Sequence, residues 1–186
     1  MILYLIAGPP GIGKSTMASE LIPKGVPILD QDLAGYQYKK LGFNNYKDLA
    51  SLSTNQKIRE YLFAGEDFAL ELNLGFTSHY DFLKAILSLN VSIKLHLLLF
   101  FTDSISLCLD RAQIRFINGG HEVKPEIVEE MYRNTIPLFQ ENQHLFHSVR
   151  LIDVANTYIR ECTRTQPEFP LWVRSNGLEK YLQHGV

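Results

Sequence analysis

The sequence predicts an α/β fold, a three-layer sandwich with a mostly parallel central sheet and short antiparallel additions near the C-terminus. Three observations predict it. The apolar runs at Ile2–Ala7 and at residues 26–30, 92–101 and 149–154 are continuous rather than alternating, as in strands buried on both faces. Segments of helical length separate these runs, the alternation of a parallel sheet. A glycine-rich turn joins the first run to the first helical segment.

Taken in order, Lys14–Leu21 is the first predicted helix, stopped around Pro23 and Gly25, and residues 26–30 form a second short strand. Residues 54–72 read mostly as a helix with Thr54 as N-cap, and residues 72–76 as a strand end. Residues 80–89 are helical and 92–101 a strong buried strand. A helix follows over 103–117, begun and capped by Asp103. Gly119 and Gly120 break the chain before helix resumes over 125–140, with Pro137 late in it, and 149–154 completes the alternation. The tail supplies antiparallel additions and a terminal helix, with Phe169, Leu171 and Trp172 assigned to core packing. The tyrosines from Tyr36 to Tyr61 are assigned to core or half-exposed helix. The whole of 1–186 reads as one domain, with a lid-like helical segment around 111–135.

Composition narrows the classes. The chain of 186 residues is 46% hydrophobic and 20% charged, ordinary for a globular protein, and its net charge of −2 argues against nucleic acid or an anionic membrane as partner. Cys108 and Cys162 lack metal-site spacing and are expected to be reduced thiols. "MILYLIA" has no basic region before it and "IKLHLLLFF" is too short to span a bilayer, so a soluble, cytoplasmic protein is expected.

The turn, Gly8-Pro9-Pro10-Gly11-Ile12-Gly13-Lys14-Ser15, followed by Thr16, satisfies the P-loop pattern G-x-x-x-x-G-K-[ST]. Its glycines let backbone amides curl around phosphate oxygens, and the next helix aims its positive end at the same anion. Lys14 is suited to the β/γ-phosphates of ATP and the Ser15 hydroxyl to Mg²⁺. With a strand before it and a helix after it, the motif predicts the P-loop NTPase form of the sandwich. No N/T-K-x-D guanine signature is present, which argues against a regulatory GTPase.

Phosphoryl transfer needs an acceptor hydroxyl and a group to take its proton. Asp30 and Asp32 stand at the C-terminal edge of the second strand, where open α/β sheets hold ligands. One carboxylate is suited to the proton, the other to organising Mg²⁺ or capping a helix. Arg111 and Arg115, four residues apart, share a helical face, and Gly119-Gly120 provides a turn that brings His121 to the same side. Such arginines neutralise charge on a transferring phosphoryl group.

The glycine loop, "LDQD", "ELNL" and R-x-x-x-R-x-x-x-G-G-H-x-V in this order resemble the zeta toxin family of kinases, over roughly residues 2–153. The resemblance implies ATP and Mg²⁺ and an acceptor such as the amino sugar of UDP-N-acetylglucosamine, and it admits a protein antitoxin as partner. It makes Lys14 the holder of ATP phosphates, Ser15 the metal ligand, Asp32 the base, and Arg111 and Arg115 the phosphate-binding arginines. Glu71 becomes the glutamate that helps position the sugar; Asn73 and His121 are also assigned to substrate binding, His121 equally to pinning the lid. The chain departs from the family pattern at Leu72, where threonine is common, at Lys124, which precedes Pro125, and at Glu130-Met131, where two arginines often stand. Two other function classes compete: a nucleotide switch or ATPase without a small-molecule acceptor, and a polynucleotide-end kinase.

Overall fold

The computed structural model describes residues 1–89 and 92–182. One sheet holds β1 (Ile2–Ala7), β2 (Ile28–Leu29), β3 (Phe68–Glu71), β4 (Lys94–Phe101), β5 (Ser148–Val154) and β6 (Ile159–Glu161), in the spatial order β2-β3-β1-β4-β5-β6. The first five run parallel, and β6 pairs antiparallel with β5, as the tail predicts. The described elements also include helices α1 (Lys14–Leu21), α2 (Gln31–Lys40), α3 (Tyr46–Ala64), α4 (Thr77–Leu89), α5 (Ile105–Ile117), α6 (Pro125–Glu141) and α7 (Leu171–Ser175), with short 3-10 turns at Gln143–Leu145 and Glu179–Tyr181. This is an α/β P-loop fold.

Both sheet faces are covered, which is why the strands read as unbroken apolar runs. Leu95, Leu97 and Leu99 of β4 join a cluster with Phe139 and Trp172, while Leu98 and Phe100 join another with Ile12 and Val128. Each leucine so buried contributes about 1.5–3 kcal/mol. β1 lies between β3 and β4, so the chain order turns back on itself at the C-terminal end of β1. Ligands of open α/β sheets bind at such a switch point, and here the 8–15 loop occupies it. Among the described residues no helix is long and apolar enough to cross a membrane.

The structure moves several predicted elements. The third helix starts at Tyr46, so Thr54 is a mid-helix residue, 6% exposed, and not an N-cap. It ends at Gly65, whose φ of 70° is a left-handed cap, and residues 68–71 leave helix for strand. The reason is tertiary: Phe68, Ala69 and Leu70 pair with Leu3, Tyr4 and Leu5 of β1 and are buried on both faces. The 26–30 strand shrinks to Ile28–Leu29 at the sheet edge. Asp30 instead caps α2, accepting from the Leu33 amide at 3.0 Å.

Asp103 does cap a helix, but not its own. α5 begins at Ile105, and the Asp103 carboxylate accepts from the Leu171 and Trp172 amides at 2.9 and 2.6 Å, holding the start of α7. Trp172 is core, its Nε1–H donating to Asp153 at 3.1 Å, whereas Leu171 is 58% exposed. Cys108 and Cys162 are buried and unbridged, and burial pushes both thiols up to about 12.

Candidate functional site

The site grows from the backbone of the 8–15 loop. Gly8 has φ 140°, and a Cβ there would lie 2.2 Å from the Phe100 carbonyl oxygen; at Gly11, φ 79°, it would lie 2.2 Å from that of Cys108. The loop thus lies flat on β4 and α5, leaving no room for side chains on that face. Gly8→Ala is expected to destabilise the protein by about 1–3 kcal/mol and to abolish nucleotide binding, read by thermal unfolding and calorimetry. α1 opens from this loop with no acidic residue in its first turn and no side-chain cap, so its positive end is uncovered.

Lys14 is 5% exposed and folds back over its own loop. Its Nζ donates to the Gly8 and Pro9 carbonyls at 2.9 and 3.2 Å and to Asn73 Oδ1 at 2.7 Å, with Glu71 Oε1 3.8 Å away. The parallel register brings these partners: Glu71 pairs with Ile6, so the chain after β3 emerges beside the loop. Ser15 Oγ donates to Glu71 Oε2 at 2.9 Å. Burial pushes the Lys14 pKa down, opposed chiefly by the charge of Glu71 and then of Asp32. Burial also pushes the Glu71 carboxyl up, opposed by Lys14. Glu71 therefore ends a strand beside the phosphate loop, not a helix at the surface.

Asp32 stands in the first turn of α2, close enough for its charge to favour the Lys14 ammonium. The two predicted carboxylates are divided by their backbone positions, Asp30 holding the helix and Asp32 standing free of that duty. Asp32 lines two adjoining cavities of about 400 Å³ each. One is bordered by Tyr36, Lys39, Lys47, Phe116 and His121. The other is bordered by Asp30, Thr54, Glu71, Asn73 and His79.

The arginines of α5 differ in what they touch. Arg111 Nη1 and Nη2 donate to the Ile12 and Ala155 carbonyls at 3.3 and 3.2 Å, stitching the loop to the chain after β5. Arg115 has Nε and Nη2 buried with no hydrogen-bond partner, and its charge is near enough to disfavour the Lys14 ammonium. Buried donors are rarely left so. Gly120 packs on Arg115, its N–H bonding the Arg115 carbonyl at 2.9 Å, and a Cβ there would meet Arg115 Cγ at 2.7 Å.

Sequence reasoning missed His79 and gave Thr54 the wrong duty. His79 Nδ1 accepts from the Phe76 amide at 3.3 Å, and burial, then Lys14, push its pKa down. No motif marks either residue; only the packing of α3 and α4 against the end of β3 brings them to the site.

The residues present fit a triphosphate. The glycine cradle and the uncovered helix end suit an anion, and Lys14 and the orphaned Arg115 donors are cations near enough to each other to interact. Ser15 and Glu71 supply a hydroxyl and a carboxylate suited to Mg²⁺. Among the described residues no group of three His, Cys, Asp or Glu side chains can hold a metal alone, so phosphate oxygens and water would complete the shell.

No protein-family model and no curated protein matches the sequence, whereas solved structures match the fold. AvrRxo1-ORF1 in complex with AvrRxo1-ORF2, solved with sulphate ions and also with ATP, is similar at a TM-score of 0.62 and 13% identity. The match covers 87% of this chain and 57% of that one, so the chain spans little more than half of that protein. The PezAT chromosomal toxin-antitoxin system of Streptococcus pneumoniae matches at a TM-score of 0.57 and 15% identity, over 100% of this chain and 78% of that one. The Pnkp1/Rnl/Hen1 RNA repair complex matches at 0.57 and 13%, over 75% and 45%. Identities this low show a shared fold, and the resemblance to zeta-toxin-like P-loop kinases holds at that level.

Proposed function

We propose that this chain is an ATP-dependent kinase that phosphorylates a hydroxyl of a small molecule, with 1–186 acting as one kinase domain. One observation carries the reading: Arg115 keeps two buried, unpartnered donors, its charge reaches Lys14, and Asp32 lines a cavity together with Glu71 and Asn73, the side chains beside the Lys14 ammonium. A triphosphate satisfies the first two groups, and an acceptor hydroxyl gives Asp32 a proton to take.

ATP supplies the phosphoryl group and Mg²⁺ neutralises its charge; Ser15, with Glu71, holds the metal. Lys14 exchanges its bonds to the Gly8 and Pro9 carbonyls for phosphate oxygens, while Gly8 to Thr16 supply amides and backbone shape. Asp32 accepts the hydroxyl proton as the acceptor oxygen bonds to the γ-phosphorus and the bridging P–O bond breaks, releasing ADP. Arg115 neutralises the oxygens of the moving group, and Arg111 holds the loop beneath it. Asn73 anchors Lys14 and borders the acceptor. Residues 111–135 act as a lid hinged at Gly119-Gly120, with His121 on its inner side. The proposal extends to cytoplasmic action and to a protein antitoxin as partner, as in the toxin-antitoxin structure that shares the fold.

The test is incubation of the purified chain with ATP and a metabolite extract, read by mass spectrometry. A new phosphorylated metabolite is expected. ADP without such a product indicates a hydrolytic switch, and label transferred only to added RNA or DNA ends indicates a polynucleotide-end kinase; either result overturns the proposal.

A further inference from the structure

The side chain that holds Lys14 most closely stands on a strained piece of backbone. Asn73 Oδ1 lies 2.7 Å from the Lys14 Nζ, nearer than the Gly8 and Pro9 carbonyls at 2.9 and 3.2 Å. Just before it the chain still follows the sheet, since Leu72 donates its amide to the Ile6 carbonyl at 3.0 Å. Just after it comes Leu74, with φ 58°, the one residue other than glycine in the left-handed region among those described. That region crowds a Cβ against its own carbonyl, so a leucine stays there only where its surroundings oblige it.

Two contacts do so. The Leu74 side chain is 0% exposed and belongs to the cluster that holds Leu3, Leu70 and Tyr80. Gly75 is pressed flat on α6: a Cβ there would lie 2.5 Å from Met131 Cβ and 2.6 Å from Met131 Cα. The helix is firm at this point. Met131 is buried, and Tyr132 beside it stacks on Phe101 with ring centroids 4.7 Å apart and donates its hydroxyl to the Thr102 carbonyl at 2.7 Å. Thr102 follows β4, the strand on which Gly8 rests, so α6 and the glycine loop are fixed to one frame. Met131 lines neither cavity that Asp32 borders, so its reach to the site runs through the turn.

We propose that Met131 is a positioning residue for Lys14: pressed on Gly75, it holds the left-handed turn at Leu74, and the turn holds Asn73 against the ammonium. The inference rests on the kinase reading for what Lys14 does to ATP, whereas the contact belongs to the free protein.

The experiment acetylates the full chain with acetic anhydride at pH 7 without nucleotide and follows Lys14 by peptide mass spectrometry, with the exposed Lys24 and Lys40 as references. Met131→Ala is expected to raise the Lys14 rate about fivefold, the effect of one weakened hydrogen bond. Met131→Leu, which keeps a γ-carbon against Gly75, restores the slow rate. Asn73→Ala raises the rate by a similar factor, and Met131→Ala added to it raises it no further. Val173→Ala, which trims a fully buried side chain of α7, lowers the melting temperature and leaves the Lys14 rate unchanged. An unchanged rate in Met131→Ala overturns the inference. So does an equal increase with and without Asn73, which takes Asn73 out of the path, or a matching increase in Val173→Ala, which reduces the effect to general loosening. Each of these leaves the kinase reading standing, while a metabolite extract that yields no phosphorylated product overturns the kinase reading and not the contact. With an acceptor found, Met131→Ala is expected to lower kcat about fivefold at an unchanged acceptor KM; an unchanged kcat overturns its part in the reaction.

Discussion

Asp32→Asn is expected to lower kcat by at least about 10²–10⁴-fold while leaving ATP affinity within a few-fold. The carboxamide keeps the shape of the side chain in the first turn of α2 but cannot take a proton from an acceptor hydroxyl. The loss should therefore fall on turnover and spare binding of the nucleotide. Asp30 makes the natural contrast. Its carboxylate caps α2 through the Leu33 amide, and asparagine caps about as well. Asp30→Asn is expected to lose far less. Single-turnover kinetics with the identified acceptor measures both; unchanged turnover in Asp32→Asn, with loss in Asp30→Asn, would transfer the base to Asp30.

Arg115→Met carries the second large effect, a fall in kcat of about 10²–10³-fold. The sign of its effect on stability is opposite to the usual one for a half-buried charge. In the free protein the Arg115 Nε and Nη2 make no hydrogen bonds, and removing them relieves a desolvation cost. The unliganded variant is expected to melt at the same or a higher temperature than the wild type. Stabilisation by ATP should shrink, because the cation that meets the phosphate is gone. Arg111→Ala should behave differently. It deletes bonds to the Ile12 and Ala155 carbonyls, so it lowers the melting temperature as well as activity, by roughly 10²-fold. Paired melting curves with and without ATP separate the two arginines. A destabilised, fully active Arg115→Met would show that this arginine serves the fold alone.

The two arginines show where sequence reading reaches its limit. Their spacing places them on one helical face, and the structure keeps them on one helix, α5. Nothing in that spacing says that Arg111 is occupied by carbonyls and Arg115 is left open. That division depends on where β5 ends and where Gly120 packs, both set by parts of the chain distant in sequence. Glu71 and Asn73 repeat the lesson. Their segment reads equally as helix or strand end in isolation, because a short apolar run fits either period. Pairing with β1 decides for strand and, in the same step, delivers both side chains to Lys14.

The amino-acid sequence by itself determined the buried strands β1, β4 and β5, the phosphate loop and the acidic pair beside it. These depend on local chemistry: unbroken apolar runs, glycines at left-handed positions, and a helix that must follow the loop. Tertiary structure alone decided which of two aspartates is free, which of two arginines lacks a partner, and that Thr54 and His79 meet across a cavity. Those outcomes depend on hydrogen bonds and burial between segments far apart in the chain. Such contacts exist only once the sheet has ordered its strands, so no local pattern can encode them.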